Sequence, residues 1–466
     1  MSEAVEPAEK MGTKKIIFII GALLLMTSSS MASYGMGVAL PIKLSTAGII
    51  EFYPMVNAIG SMGMMLALPI VGTLIARFTA RGVTIFGVIL MLIMRSLFMF
   101  INDPYLLMIV NLVAFFGNGL FVTAPFLFIS MAVLPAARPR YFGLISTFNA
   151  LGALCGPVLV GIMADAGFAP WGFVAYSPVV GIATVFAVAA FIAPDKPSPH
   201  KASFDFIGLI IMVAAICCVV MWLGLGDTLF PRFSVQGIAI LILGIIGLIG
   251  LVFFERKKEA PAVPVYLFTR RRFTVCFVCA FALAAYTTAA AGYSIVYVQR
   301  VMQLSSTISS TVTIPHTVAM LILGVVVGQF LGKNFAKKVR PIAITSLALG
   351  TLACIILFFL QPDSSMVMIY VATGLGGAGY SITQSAYTPF FQLDLKPEEY
   401  GAAQGLFGFA ATSGAVIFSA LAAIIMTSGM SLNYIFLIAV AFCVIGLIVG
   451  IIGFKMPKEA SGTSQQ

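Results

Sequence analysis

Runs of about 20 mostly apolar residues, each long enough to cross a bilayer as a helix, recur down this chain. No other feature of the sequence limits the fold so tightly. Bounded by charge, Pro or Gly, the runs fall at 16–40, 50–76, 83–101, 105–134, 142–164 and 171–193. Two more follow at 206–225 and 235–254, and six at 275–297, 308–331, 342–360, 367–391, 402–426 and 432–454. Fourteen such spans predict an all-α integral membrane protein. Only 9% of the 466 residues are charged, against about a quarter in a soluble chain. The net charge of +10 therefore does not call for nucleic acid; what matters is where the basic residues lie.

Alternating the loops from an N-terminus placed inside puts 22 of the 26 Lys and Arg residues on the inner side. Lys43, Arg232 and Arg300 fall outside, and Arg95 lies within a span. Such asymmetry is what the positive-inside rule produces. It predicts an even number of spans, both termini in the cytoplasm and a cytoplasmic membrane location. Lys14 and Lys15 followed by an apolar core and SSSMAS imitate a secretory leader, but the apolar character continues to Leu40, so this segment reads as an uncleaved first span. The seven cysteines all fall in apolar runs, and the Cys276–Cys279 pair has no second pair or nearby His. They read as small buried hydrophobes, with no metal site and no disulfide framework.

Two stretches share one skeleton: GTLIARFTARGV (72–83) and GQFLGKNFAKKV (328–339), 256 positions apart. Each joins the second and third spans of a six-span set once the seventh and eighth spans are set aside. Gly143 and Gly156 of the fifth span likewise match Gly401 and Gly414 of the thirteenth, at an offset of 258. Two matches at nearly equal offset indicate an internal duplication. The expected plan is a six-helix half at 1–199, an inserted helix pair with its linkers at 200–262, and a second six-helix half at 263–466. Paired halves of this kind place a substrate site near the midplane between them.

With these residues in view, the sequence resembles the major facilitator superfamily, and its fourteen-span layout looks like the drug:proton antiporter branch with two extra central helices. The loop signature G-x-L-x-D-R-x-G-R-R is seen as Gly72, Leu74, Arg77 and Arg81, and the helix-5 antiporter signature G-x-x-x-G-P-x-x-G-G as Gly152, Gly156, Pro157 and Gly161. ALPIKL after the first span and VPVYLFTRRRF before the ninth also look like that branch. The resemblance implies that Arg77, Arg81, Lys333 and Lys337 brace helix ends and take part in gating. It implies close packing at the helix-5 glycines, and cavity walls from the first and fourth helices of each half. The chain departs from the pattern at Ala76, Ala32, Val113 and Val160, so the branch's usual coupling carboxylate and basic partner are missing at their positions.

Ionisable groups at bilayer depth are costly and mark functional candidates. Glu51, at the outer start of the second span, reads either as an interfacial carboxylate or as a gate or proton site. Arg95 either snorkels to the headgroups or contacts a gate or substrate. His316 either faces a cavity, where it can change charge near neutral pH, or packs by hydrogen bonding. The remaining polar candidates are Tyr34, Asn118, Tyr286, Tyr293, Tyr380, Gln384 and Tyr387. Tyr380, Gln384 and Tyr387 stand at i, i+4 and i+7, and Tyr286 and Tyr293 share a face. Lipid-facing helices avoid such amides, so these faces turn inward, to line a cavity or to bond between helices.

Walls of Tyr, Met and amides suit a solute with an apolar body and polar handles. Deep ionisable groups that are basic or neutral lean towards an anionic or neutral one. The expectation is a secondary active transporter of an amphipathic organic solute, leaning to organic anions, with multidrug efflux by proton antiport as the alternative. A non-transporting sensor is a distant third. An intramembrane enzyme would need clustered His or paired carboxylates at depth, which this chain lacks. The partners expected are a small-molecule substrate, protons and the bilayer, with no cofactor, no nucleic acid and a monomeric state.

Overall fold

The structure, a computed structural model, describes residues 13–163, 166 and 205–455, except 227–228, 257, 259–260, 262, 305–307 and 310. Thirteen described helical segments are long and apolar enough to cross a membrane, and they coincide with thirteen of the fourteen predicted spans. The sixth predicted span, 171–193, lies outside the described residues.

The first set runs α1 (Thr13–Thr46), α2 (Tyr53–Phe78), α3 (Ala80–Phe100), α4 (Pro104–Phe121), α5 (Ala124–Ala132) and α6 (Arg138–Met163). Then come α7 (Phe206–Leu225) and α8 (Val235–Glu255). The last set is α9 (Arg271–Thr288), α10 (Ser294–Arg300), α11 (Ile314–Gly332), α12 (Phe335–Phe358), α13 (Met366–Gln392), α14 (Tyr400–Thr427) and α15 (Asn433–Gly453). Polar caps set several starts: Asp103, Asp205 and Ser234 each accept a backbone N–H from the first turn of α4, α7 and α8, which satisfies donors that a helix leaves open.

Two predicted spans are not single α-helices. The fourth divides into α4 and α5 just before Pro125, whose ring cannot continue the hydrogen-bond ladder. The ninth carries a π-turn at Ala289–Tyr293 between α9 and α10, in the small-residue run AAAG, where no bulky side chain resists the wider turn.

The neighbour pattern of the first set recurs in the last. α1 packs on α6, and α2 and α3 pack on α4; correspondingly α9 packs on α14, and α11 and α12 pack on α13. The matched glycines stand at matched crossings. A Cβ on Gly156 would meet the Met31 carbonyl of α1, and one on Gly414 the Phe281 carbonyl of α9. A Cβ on Gly72 would collide with Ala402 of α14, and one on Gly328 with the Pro139 carbonyl of α6. The two sets therefore touch along two main seams, α2 against α14 and α6 against α11, with α6 also meeting α13. α7 and α8 pack on each other, with α7 laid against α2 and α14.

At the start of α7, Asp205 pairs with Lys258 at 2.5 Å and accepts the Gly208 N–H at 3.0 Å. Burial raises the pKa of the Asp205 carboxyl. The Gly208 N–H, Lys258 and Glu255 outweigh that and hold it below the usual carboxylate range.

Candidate functional site

Between the two sets lies a cavity of about 440 Å³ that reaches from mid-depth towards the end of the bundle opposite the start of α1. We call that the far end, and the other the basic end. Tyr34 of α1, Pro157 of α6, Thr287 and Thr288 of α9, His316 of α11 and Tyr380 of α13 line it, so both sets contribute walls. The π-turn puts Ala291 and Gly292 in the wall as well; such turns recur at functional sites because they re-aim a helix face. Among the described lining residues there is no carboxylate, Lys or Arg. Hydroxyls, one imidazole and aromatic and methyl surface make up the rest.

Three predicted site residues meet there. Tyr34 is half exposed to the cavity. The Tyr380 hydroxyl lies within hydrogen-bonding reach of Gln384 and Asn149. His316 is buried, its ring bonded to the Thr373 carbonyl, and its Nδ1 has no partner among the described residues. Gln384 sits one turn along α13 from Tyr380, its Oε1 also without a partner among the described residues.

The other predicted residues are placed elsewhere. Tyr286 donates to the Gly376 carbonyl at 2.7 Å and Tyr387 bonds Ser346 Oγ at 2.9 Å, both fully buried inside the last set. Tyr293 donates to the Ser419 carbonyl of α14. It does not share the face of Tyr286, because the π-turn between them adds a residue to the helical count. Asn118 is spent on α1: it accepts from Ser29 at 2.8 Å and donates to Ser33 at 2.7 Å. The SSS stretch that imitates a leader cleavage site is thus an interhelical hydrogen-bonding surface, with Ser30 donating to Asn149. Arg95 neither snorkels nor reaches the cavity. It is 5% exposed, donates to Asn111 Oδ1 at 2.9 Å and lies over the Phe115 ring, while Asn111 donates on to the Val56 carbonyl. That chain ties α3, α4 and α2 together. Glu51 belongs to the short turn Ile50–Phe52 before α2, and its side chain lies outside what the structure describes.

The twinned loops hold Arg77, Arg81, Lys333 and Lys337 exposed at the basic end. Thr79 turns the first loop with a φ of 77° and accepts the Gly82 N–H, a left-handed residue that costs a branched side chain strain. In the second, Lys338 donates to the Phe330 carbonyl, a cation on the last carbonyls of α11. Of the helix-5 motif, Gly152 and Gly156 are pressed on α1, Pro157 faces the cavity, and Gly161 meets none of the described residues within 4 Å. Cys155 differs from its predicted burial: it is exposed on α6.

Sequence reasoning missed the seal at the basic end. Arg138, at the start of α6, donates to Gln392 Oε1 at 3.3 Å, to the Tyr400 hydroxyl at 3.1 Å and to the Ser130 carbonyl at 3.0 Å. Gln392 Nε2 donates back to Ser130 Oγ at 2.9 Å. Four buried polar residues of α5, α6, α13 and α14 thus close the gap between the sets below the cavity. An amide and a hydroxyl near the inner ends of apolar spans were the available signal.

The sequence profile described as Major Facilitator Superfamily matches residues 16–419. Among curated proteins, the chain is 24% identical over 430 residues to Multidrug resistance protein 3 of Bacillus subtilis (strain 168), covering 91% of this chain and 82% of that one. It is 24% identical over 463 residues to the multidrug efflux pump SdrM of Staphylococcus aureus (strain N315), covering 98% and 100%. Among solved structures, the human organic anion transporter MFSD10 (TETRAN) superposes with a TM-score of 0.63 at 12% identity, covering 94% of this chain and 99% of that one. A bacterial homologue of the iron transporter ferroportin in an outward-facing state gives 0.64 at 12%, covering 94% and 98%. At such identities the structures speak for the fold alone.

Proposed function

We propose a transport cycle for this chain, which belongs to the Major Facilitator Superfamily and is a multi-pass integral membrane transporter: it moves amphipathic organic solutes by alternating access. The observation that carries this reading is the pairing of a cavity walled by both helix sets with a hydrogen-bonded seal beneath it. If the halves rock about the seams α2–α14 and α6–α11, breaking the seal and closing the far end would expose the same residues to the other side.

The cavity chemistry supports a solute with an apolar body and a few polar handles. Tyr34 and Tyr380 offer flat amphipathic surface, while His316 Nδ1 and Gln384 Oε1 offer hydrogen-bonding positions. A lipophilic cation would be desolvated here without a carboxylate among the described lining residues to meet it. This favours neutral or anionic solutes. The fourteen-span count, the division at 199 and 262 and the cytoplasmic placement of both ends belong to the same proposal. They are supported by the charge asymmetry and the repeated neighbour pattern.

A second reading, multidrug efflux by proton antiport, is favoured by the relatives named for multidrug resistance and efflux. Counterflow in proteoliposomes, run with a bile-acid-like anion, a simple aryl carboxylate, a neutral lipophile and a lipophilic cation, separates the two. Flux of anion or neutral solute supports the first reading. Flux of the cation alone, enhanced by an imposed pH gradient, replaces it by the second. No flux of any of them in correctly folded protein sinks both.

A further inference from the structure

At the basic end a second pocket of about 440 Å³ opens where α6 crosses α11. It lies outside the seal and apart from the central cavity, with no lining residue in common. Arg140 and Tyr141 come from the first turn of α6, and Gln329 and Lys333 from the end of α11; Leu144 and Val325 form its apolar wall. The two helices are drawn together beside it by facing glycines, Gly143 against Gly324 and Gly328, and Arg140 extends across the small Gly332.

The electrostatics of this pocket are unbalanced. Two cations, one from each helix set, converge with no acid among the described lining residues. Among the described residues neither Arg140 nor Lys333 has an ion-pair or hydrogen-bond partner, whereas other cations at this end do: Arg272 pairs with Asp394 and Lys258 with Asp205. Gln329 is an exposed amide near the end of an apolar helix, a position that wants a polar partner. Guanidinium and ammonium groups held at the membrane surface above an apolar wall are the chemistry of a phosphate headgroup with its acyl chain below. The bilayer supplies such a ligand at high local concentration.

We propose that this pocket binds the headgroup of an anionic phospholipid from the adjoining leaflet. Its phosphate bridges Arg140 and Lys333, the Tyr141 hydroxyl and Gln329 amide bond the remaining headgroup oxygens, and an acyl chain lies against Leu144 and Val325. Because the two cations belong to different helix sets, the lipid ties α6 to α11 and holds the basic end closed.

The test reads lipid binding and needs no transport substrate. Thermal unfolding is followed in an uncharged detergent with added dioleoyl-phosphatidylglycerol or dioleoyl-phosphatidylcholine. The wild type is expected to gain a few degrees more from the anionic lipid, since a ligand bound to the folded state stabilises it by mass action. Arg140→Gln/Lys333→Gln should lose that difference, and Lys337→Gln/Lys455→Gln, with the same loss of charge at the same end, should keep it. Equal stabilisation by both lipids, an undiminished difference in the Arg140/Lys333 variant, or the same gain from inorganic phosphate alone would each overturn the proposal. Should that variant not fold, a photoreactive phosphatidylglycerol on the wild type decides the matter. Cross-links in the peptides around 140–144 and 325–333 support the site, and cross-links confined to other helices reject it.

Discussion

Arg138 Nη1 donates to Gln392 Oε1 at 3.3 Å across 254 positions of sequence, and the same guanidinium lies over the Tyr400 ring at 5.0 Å. One side chain of α6 thereby fastens the ends of two helices of the other set. Buried polar networks of this kind stabilise only while every member stays paired. Arg138→Met is therefore expected to unfasten the basic end and shift the protein towards the opposite-facing form. A cysteine introduced at Ser381, which lies above the seal and bonds Ser146, should then react several-fold faster with a membrane-impermeant maleimide supplied from the basic side. Unchanged labelling would mean that the seal is not what excludes water.

His316 and Glu51 are the groups proposed for proton coupling. Glu51→Gln with His316→Gln, which keeps a hydrogen-bonding amide in the cavity wall where His316 now stands, should retain counterflow and abolish accumulation driven by a pH gradient. Counterflow reports exchange alone, so it separates binding from coupling. If the double variant still accumulates solute when pH is the sole driving force, neither residue carries the proton. If the wild type ignores pH, uniport or anion exchange becomes the better account.

The twinned loops offer a matched pair. Arg77→Ala and Lys333→Ala should each lower the transport rate more than solute affinity, because both residues stand at helix ends remote from the cavity lining. Equal loss of affinity and rate, measured by equilibrium binding beside initial uptake, would argue for direct solute contact.

In the helix-5 motif, the glycines should not be equivalent. A side chain at Gly156 would run into the backbone of α1, so Gly156→Leu is expected to cost about 3 kcal/mol or more by overpacking. Gly161 has no neighbour within 4 Å among the described residues, and Gly161→Ala should stay within about 0.5 kcal/mol. Thermal unfolding of the two variants side by side checks this; equal losses would contradict the packing described.

The inserted pair is held at its base by Asp205. Asp205→Ala removes both the α7 cap and the Lys258 partner and should cost roughly 1–2 kcal/mol. Because the folded carboxyl is held below its ordinary range, its contribution is present above the unfolded value of about 3.9. It fades as pH falls through the folded one. At neutral pH the loss in the variant should thus be complete and insensitive to pH between 6 and 8, read by the unfolding temperature.

The spans were legible because hydrocarbon imposes length and composition on any helix that crosses it. The crossing glycines were legible because the chain writes one loop skeleton twice, with Gly72 and Gly328 at its head. The cavity wall was legible in part: Tyr34, His316 and Tyr380 line it, but Tyr286 and Tyr387, equally polar and equally placed in their spans, turn into the last set. Period alone cannot separate a face towards a cavity from a face towards another helix, since both exclude lipid. Arg95 was misleading for the same reason; its partner Asn111 is 16 positions on, and each looks orphaned until α3 meets α4. The seal was the least legible, because Arg138 reads locally as one more interfacial cation and its partners lie in the other half of the chain.

The π-turn at Ala289–Tyr293 carries a last consequence. It stores one surplus residue in the winding of the helix, so everything beyond it is rotated by about 100° relative to a plain α-helix. From this helix the described cavity wall takes Thr287, Thr288, Ala291 and Gly292, before and within the turn, so a relative without the surplus residue would keep that wall but re-aim the stretch beyond it, where Tyr297 now donates to the Leu360 carbonyl. Across this point, likeness of residues and likeness of position come apart: a single deletion would change how the far end of this helix meets its neighbours while leaving every side chain in the wall chemically unchanged.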